Sequence, residues 1–317
     1  MSRDFDVICI GLAAANILIH PISKSFLDAD VSLVNKMEII PGGDAVNQAI
    51  ILARLGRKVK LCGKIGADLF GRCLAGGLEN NGVDISTVIV DESENTSSCA
   101  VLVQANGNRN FLSYRGANES FSLLEIPDVF NARIVSIGGL LALPLLNGGD
   151  LKGFLKTAKE KGCITAVDTK HDSYRIGWDG VKDGFDCIDY FLPSYDEAAY
   201  LSGETEPGRI AGFFLEAGVK NVVIKMGVNG SFLKSAVCEE AIPAISAQAV
   251  DTTGAGDNFV AGFLHGLLYG WDIKKCCEYA NAVGAVSTTK LGATMAVESE
   301  VQVNDYLKNH CDFQRSV

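Results

Sequence analysis

The segment 251–258 places two carboxylates around a glycine-rich turn, with the sequence D-T-T-G-A-G-D-N. From residue 259 to 268, two adjacent apolar stripes recur every four residues, a pattern that predicts a buried helix. Gly254 and Gly256 keep side-chain bulk away from the start of this helix. The first N–H groups of a helix have no partner inside it and attract anions. The turn therefore predicts an anion-binding site.

Asp257 falls in the first turn of the predicted helix. An acidic residue there can simply complement the helix dipole. The glycines favour a further role, because glycine weakens a helix start unless the backbone must approach a ligand closely. A carboxylate beside such a turn can accept a proton from a hydroxyl while the amides stabilise negative charge on a phosphoryl group. We therefore predict that Asp257 is a general base beside an anion hole.

Short apolar runs alternate with segments of helical spacing along the chain. The predicted strands are 5–11, 58–64, 133–138, 163–168, 188–193 and 220–226, and the helices predicted between them include 45–56, 67–82 and 150–162. The strands are apolar throughout rather than at alternate positions, which predicts a mostly parallel sheet covered by helices on both faces. The predicted fold class is α/β.

Two segments depart from this alternation. Residues 96–118 read as two strands around the turn-rich A-N-G-N-R, and residues 17–41 show no clear helix. We predict that lid segments, about 12–41 and 96–118, form a small β-appendage inserted into a single domain spanning 1–317.

Polar residues follow several predicted strands. Asp168 ends one strand, Ser194 follows another, and Lys225 and Gly227 end a third. In open parallel sheets, ligands bind outside the carboxyl ends of the strands. We therefore expect these residues to lie at one cleft.

Charge and composition exclude some function classes. The chain has 317 residues, 48% of them hydrophobic, which suits one large domain. It carries 28 basic and 38 acidic residues, a formal charge of −10, which argues against a nucleic-acid or anionic-membrane surface. Bound phosphate is not excluded, because backbone amides can hold it.

The cysteines and the N-terminus indicate a cytoplasmic protein. Ten cysteines occur without a C-x-x-C pair, several within apolar runs, which predicts buried free thiols in a reducing compartment. The N-terminal apolar run follows Asp4 and Asp6 instead of basic residues and is too short to cross a bilayer. We interpret it as the first strand.

Two motifs together carry a family resemblance. The motif D-T-T-G-A-G-D-N-F at 251–259 and the upstream G-G-D-A-V-N-Q-A at 42–49 resemble the two motifs of the ribokinase-like (PfkB) carbohydrate kinases. Their order and wide separation make the pair more specific than either motif alone. The resemblance spans nearly the whole chain. It implies a ribokinase-like fold and Mg²⁺- and ATP-dependent phosphorylation of a sugar hydroxyl, without a Walker loop, since G-x-x-x-x-G-K-[ST] is absent.

The resemblance also implies individual roles. Asp257 would be the base and the amides of Gly254, Ala255 and Gly256 the anion hole. The implied sugar-binding residues are Asn16, Gly42, Gly43, Asp44 and Asn47. The implied ATP-binding residues are Ser194, Lys225, Gly227, Gly230 and Asn281. Glu197 would hold Mg²⁺ through water, and Asp251 with the Thr253 carbonyl would hold a monovalent cation such as K⁺.

Each of these roles has a plainer alternative. Asp44 can cap a helix, residues 227–230 can form a simple turn, and Glu197 and Asn281 can be exposed helix residues. Arg115, at the end of the predicted hairpin, could extend from the lid to a phosphate or sugar, or only decorate a strand end. Asn16 and Ser194 replace the Asp and Asn common in the family, which points to a less familiar substrate.

Several functions remain open at this stage. The leading hypothesis is a cytoplasmic sugar kinase, and the nearest alternative is a nucleoside kinase of the same family. Phe26, Phe111 and Tyr114 could then hold a base. A catalytically silent sugar-binding regulator is a third possibility. A nicotinamide-dependent dehydrogenase is disfavoured, since G-L-A-A-A-N at 11–16 stands where G-x-G-x-x-G is expected. Exposed lid edges favour a homodimer.

Overall fold

The computed structural model describes residues 3–310. Its strands are β1 (Phe5–Gly11), β2 (Ala14–His20), β3 (Lys36–Gly42), β4 (Val59–Cys62), β5 (Lys64–Gly66), β6 (Ile89–Asp91), β7 (Ser98–Val103), β8 (Arg109–Tyr114), β9 (Ala132–Gly138), β10 (Ile164–Val167), β11 (Tyr190–Phe191), β12 (Asn221–Lys225), β13 (Ser231–Ser235) and β14 (Glu239–Ile242). Its helices are α1 (Asp44–Arg54), α2 (Leu69–Glu79), α3 (Gly148–Glu160), α4 (Gly177–Val181), α5 (Tyr195–Ser202), α6 (Pro207–Glu216), α7 (Ala255–Tyr269), α8 (Ile273–Ser287) and α9 (Glu300–His310).

An eight-stranded sheet runs through the centre in the order β14-β13-β12-β11-β10-β9-β1-β4. The six strands from β12 to β4 are mutually parallel, and β13 and β14 join the β12 edge as antiparallel strands. The predicted α/β class with a mostly parallel sheet is confirmed.

Helices cover both faces of this sheet, as β1 shows. Val7 and Cys9 belong to the apolar core on one face, and Ile8 and Ile10 belong to the core on the other. All four are at most 1% exposed. Because successive strand residues point to opposite faces, burial on both sides explains the uninterrupted apolar run in the sequence.

The residues outside the alternating pattern build a second, four-stranded sheet in the order β3-β2-β7-β8. The hairpin predicted within 96–118 is confirmed as β7 and β8, with Gly107 at φ +83° in the turn. One face of this small sheet buries Leu18, Ile40, Val101 and Val103. No helix among residues 3–310 is long and apolar enough to span a bilayer.

The structure differs from the predicted elements in three places. The strand predicted at 188–193 is reduced to the two residues of β11. The strand predicted at 58–64 divides at Gly63, where β4 stays in the main sheet and β5 pairs with β6 in a separate two-stranded sheet. A Cβ at Gly63 would lie 3.0 Å from the Gly11 carbonyl oxygen, so the chain passes close to β1 there. Helix α1 begins at Asp44 itself, and Gly43, at φ +95°, occupies the capping position. Gly56, at φ +81°, follows the end of α1 as predicted.

Candidate active site

A cavity of about 470 Å³ lies between the small sheet and residues that follow β1, β10 and β11. Its walls bring together predicted site residues from distant parts of the chain: Asn16, Gly43, Asp44, Asn47, Arg115, Glu197, Thr253, Gly254 and Asp257. Phe111 and Tyr114 also line it, whereas Phe26 does not. The cavity is therefore the candidate active site.

The predicted helix after the glycine-rich turn is α7, and most of its residues are buried. Gly254 caps it at φ +73°, and a Cβ there would lie 2.5 Å from the Ala293 side chain. The Asn258 amide donates to the carbonyls of Gly254 and Ala293, both at 2.8 Å. Glycine at 254 is thus required by backbone conformation and by close packing.

The turn offers free donors at the start of α7. The Ala255 N–H donates to the Thr252 carbonyl at 3.3 Å, but the N–H groups of Gly254 and Gly256 find no acceptor within residues 3–310. A Cβ at Gly256 would lie 3.3 Å from the Lys225 ammonium nitrogen. Two free amides beside a cation form a favourable anion site.

Asp257 is 7% exposed and lies third in α7. Its Oδ2 accepts a hydrogen bond from Asn47 Nδ2 at 2.7 Å. Burial and the nearby Asp44 carboxylate raise the pKa of Asp257 well above its usual value, against the opposing effects of Lys170 and the Asn47 bond. A raised pKa makes the ionised carboxylate a stronger proton acceptor than an ordinary aspartate.

Asn47 leaves one polar atom unsatisfied. Its side chain is 4% exposed, and its Oδ1 has no hydrogen-bond partner in the described part of the chain. A buried oxygen without a partner is destabilising. Since Asn47 lines the cavity beside Asp257, a ligand hydroxyl there would satisfy it.

Lys170 lines the cavity and was missed by the sequence analysis. Its ammonium contacts Asp44 Oδ1 at 2.5 Å. Burial alone would lower the pKa of Lys170, but Asp44 and Asp257 raise it above its usual value, so the side chain is charged. Its place two residues after Asp168, at the carboxyl end of a predicted strand, was the available signal.

A buried ion pair, involving Lys225, lies beside the cavity. Its ammonium contacts Asp168 Oδ1 at 2.6 Å, with side-chain exposures of 11% and 2%. Burial raises the pKa of Asp168 to about 7 in spite of Lys225, and the charges of Glu197 and Asp44 add to the rise. Ser194 and Lys225 are paired by an isolated parallel β-bridge. The expectation that Asp168, Ser194 and Lys225 meet at one sheet edge is confirmed.

The other predicted nucleotide residues lie farther along that edge. Residues Gly227–Asn229 form a short 3₁₀ turn after β12. A Cβ at Gly230, which has φ +83°, would lie 2.1 Å from the Ile242 carbonyl oxygen. Asn281 is buried and its amide donates to the Pro243 carbonyl at 3.0 Å. Asn281 therefore supports this loop region, and the alternative of an exposed helix residue is wrong.

Glu197 forms a capping box with Ser194 at the start of α5. Its Oε2 accepts from the Ser194 N–H and from Thr169 Oγ1, both at 3.1 Å. Its Oε1 has no hydrogen-bond partner within residues 3–310 and belongs to a residue on the cavity wall. One free carboxylate oxygen suits Mg²⁺, which takes few protein ligands and keeps several waters.

Asp251 joins the glycine-rich turn to a neighbouring loop. Its Oδ1 accepts from the Thr253 N–H at 2.9 Å and its Oδ2 accepts from the Gly292 N–H at 2.9 Å. Arg109 lies 4.0 Å from Oδ1. These contacts hold the carboxylate between the turn and the neighbouring loop.

Of the two remaining predicted residues, one lies on the cavity wall and the other lies behind it. Arg115 lines the cavity, and its Nη2 donates to Ser173 Oγ at 2.9 Å. Gly42 is not on the wall but packs behind it, because a Cβ there would lie 2.1 Å from Asn16 Nδ2. Gly42 thus gives Asn16 its position.

Comparison with known proteins identifies the family. The model of the pfkB family carbohydrate kinases matches residues 4–300. Fructokinase-1 of Zea mays is 30% identical, with 92% of this chain and 98% of that protein covered. A ribokinase from Thermotoga maritima superposes with a TM-score of 0.82 at 25% identity, covering 96% and 100% of the two chains.

A putative ribokinase II from E. coli, solved in complex with ATP and Mg²⁺, superposes with a TM-score of 0.83 at 24% identity, with the same coverage of 96% and 100%. The ribokinase-like fold implied by the motifs at 42–49 and 251–259 is confirmed. The chain belongs to the pfkB family of carbohydrate kinases.

Proposed function

We propose that this carbohydrate kinase transfers the γ-phosphoryl group of ATP to a hydroxyl of a small sugar, with Asp257 as the general base. One observation carries the proposal: the Asp257 carboxylate, with its raised pKa, lies in a cavity beside the unsatisfied Asn47 oxygen and the free amides at the start of α7. An acceptor that orients the sugar hydroxyl, a base and an anion site are the parts that this reaction needs.

In the proposed reaction, Asn47 and Asp44 orient the sugar, and Asn16 lines the same wall. Asp257 accepts the proton of the attacking hydroxyl as that oxygen bonds to the γ-phosphorus. The bond between this phosphorus and the oxygen of ADP breaks at the same time. The amides of Gly254 and Gly256, with the ammonium of Lys225, stabilise the negative charge on the transferred group.

ATP would lie along the sheet edge that carries the predicted nucleotide-binding residues, which are Ser194, Lys225, Gly227, Gly230 and Asn281. Glu197 would hold Mg²⁺ through its free oxygen and through water, and the phosphates of ATP would complete the coordination. The bound ion would reduce the charge repulsion between nucleotide and nucleophile. The related E. coli protein binds both ligands, which supports this assignment. A requirement for K⁺ stays a prediction, and no step depends on it.

ADP release should test the proposed function. Purified protein with ATP and Mg²⁺ is expected to release ADP only when a sugar is added, in a panel of ketoses, aldoses, pentoses and sugar acids. Adenosine and inosine belong in the panel, because Phe111 and Tyr114 on the cavity wall could hold a base. ADP release only with nucleosides would mean that the acceptor is a nucleoside and not a free sugar. Sugar binding without ADP release from any acceptor would support a silent regulator.

We also propose that the small sheet acts as a lid, and that two copies of the chain pair through it as a homodimer. Its face away from the Leu18 cluster carries Met37, Ile39 and Leu112, which are 62%, 45% and 62% exposed. The strand register places Met37 opposite Ile19, and Ile39 opposite Ile17, on this face. An apolar row of this kind across a sheet is typical of an interface, and two equal copies could bury it by two-fold symmetry.

Negative charges introduced on this face should dissociate the proposed dimer. Replacing both Met37 and Leu112 by Asp is expected to convert a dimer into a monomer, because paired copies would bury four unpaired carboxylates. Light scattering coupled to size-exclusion chromatography measures the mass. Val237→Asp is the matched control, since Val237 is 93% exposed in the turn between β13 and β14. A wild-type protein that is monomeric at micromolar concentration would contradict the dimer.

A further inference from the structure

One wall of the cavity carries a group of basic side chains. Arg115 at the end of β8, and Lys170 and His171 after β10, all line it. The Arg115 guanidinium donates to Ser173, three residues after Lys170, so the small sheet and the loop after β10 meet at this wall. The four residues Arg115, Lys170, His171 and Ser173 are called the basic wall below.

The loop that carries the basic wall is held by its own hydrogen bonds. Asp172 Oδ1 accepts from the Ile176 N–H at 3.0 Å, and its Oδ2 accepts from the Gly177 N–H at 2.7 Å. The Tyr200 hydroxyl also donates to Asp172, at 3.2 Å. His171 and Ser173 flank this anchor, so the basic wall is preorganised rather than a loose surface loop.

The two long basic side chains of this wall differ in whether they have a carboxylate partner. Lys170 is paired with Asp44. Arg115, in contrast, has no carboxylate within 4.0 Å among residues 3–310, and the nearby Glu119 accepts a hydrogen bond from Tyr174 at 3.0 Å. The whole chain has a net charge of −10, so an arginine without a carboxylate partner does not reflect a general excess of basic residues.

We propose that the sugar acceptor carries an anionic group, a carboxylate or a phosphate monoester, which the basic wall binds through Arg115. This inference rests on the proposed function and names the substrate class of the same site. The planar guanidinium can donate two parallel hydrogen bonds to either oxyanion. A neutral sugar would offer this half-exposed guanidinium no charged partner in addition to the Ser173 hydroxyl.

The orientation of the acceptor follows from the two groups that it would contact in the cavity. The reacting hydroxyl lies at Asp257 and Asn47, and the anionic group lies at Arg115. Lys170 lines the same cavity, in contact with Asp44 and close enough to Asp257 to affect its pKa. The enzyme would therefore recognise its substrate by the distance between a hydroxyl and an oxyanion, and not by hydroxyl groups alone.

Matched acceptors test this proposal. Rates of ADP release are compared for glucose with gluconate, and for fructose with fructose 6-phosphate. We expect kcat/KM for one of the anionic acceptors to exceed that of its neutral partner by about 100-fold, the usual order for a charge-assisted pair. A preference for gluconate identifies a carboxylate, and a preference for fructose 6-phosphate identifies a phosphate. Neutral acceptors that are equal or better would overturn the proposal and leave the sugar kinase intact. No ADP release from any acceptor would overturn both.

Variants of Arg115 locate the effect. Arg115→Gln is expected to lower kcat/KM for the anionic acceptor about 100-fold and for the neutral acceptor much less, while Arg115→Lys recovers part of the loss. Arg175→Gln is the matched control, since Arg175 is exposed in the same loop but does not line the cavity. An equal loss for both acceptors, or a loss confined to the KM for ATP, would mean that Arg115 serves the nucleotide, and the proposal would fail.

Discussion

Asp257→Asn is expected to lower kcat by about 1,000-fold while leaving the protein folded, because general-base catalysis typically contributes a factor of this order. The substitution keeps the size of the side chain, and an amide oxygen can still accept the hydrogen bond from Asn47. It removes only the ability to take a proton at this position. Single-turnover ADP release measures the chemical step, and thermal unfolding checks the fold. Asp305→Asn, at an exposed position of α9, is the matched control.

The pH dependence of kcat/KM is a second test of Asp257 as the general base. A base works in its ionised form, so kcat/KM should rise with pH through the raised pKa of Asp257 and then level off. In Asp257→Asn the residual activity should lack this rise. Asp168, whose pKa is about 7, also titrates near neutrality. A rise that persists in Asp257→Asn would belong to Asp168, and unchanged activity would rule out Asp257 as the base.

Lys225→Met is expected to lower the free energy of unfolding by about 3 kcal/mol at pH 8, because it leaves Asp168 buried without its cation. In a chain of this size the loss corresponds to a decrease in Tm of about 5 °C. Nucleotide binding should weaken as well, since Lys225 lies beside the free amide of Gly256. Calorimetry measures the stability, and ADP titration measures the binding.

A second substitution, at Asp168, tests whether the loss of stability in Lys225→Met comes from the broken ion pair or from a wider disruption of the fold. Adding Asp168→Asn to Lys225→Met should restore most of the stability, because no uncompensated charge then stays buried. The pH dependence has a defined sign. Asp168 has a raised pKa, so the stability associated with its protonated form is present at low pH and lost as pH rises through about 7. The destabilisation by Lys225→Met should therefore be smaller at pH 5 than at pH 8.

Lys152→Met provides the control for this pair. Lys152 and Asp186 lie 2.9 Å apart and form an ion pair as well, but their side chains are 45% and 52% exposed. An exposed pair contributes little, so this change should alter the free energy of unfolding by less than about 0.5 kcal/mol. Equal losses in Lys152→Met and Lys225→Met would show that burial of the Asp168 pair is not the cause.

The local chemistry of the sequence determined the fold class and the glycine-rich turn before α7. The run at 5–11 is apolar at successive positions because both faces of β1 are buried, a condition that is visible without coordinates. The turn at 254–256 is equally local, since Gly254 has a positive φ that other residues rarely adopt. Such features leave a local pattern in the sequence, and the main strands, the helices and the glycine-rich turn could therefore be predicted.

The contacts that set the chemistry were decided by the tertiary structure. Asn47 meets Asp257 across 210 residues of sequence, and Lys170 meets Asp44 across 126. The raised pKa of Asp257 depends on burial and on Asp44, neither of which shows in the motif around it. The basic wall likewise forms only because the small sheet closes against the loop after β10. Distances between remote segments depend on how the whole chain packs, and no local pattern of residues records them.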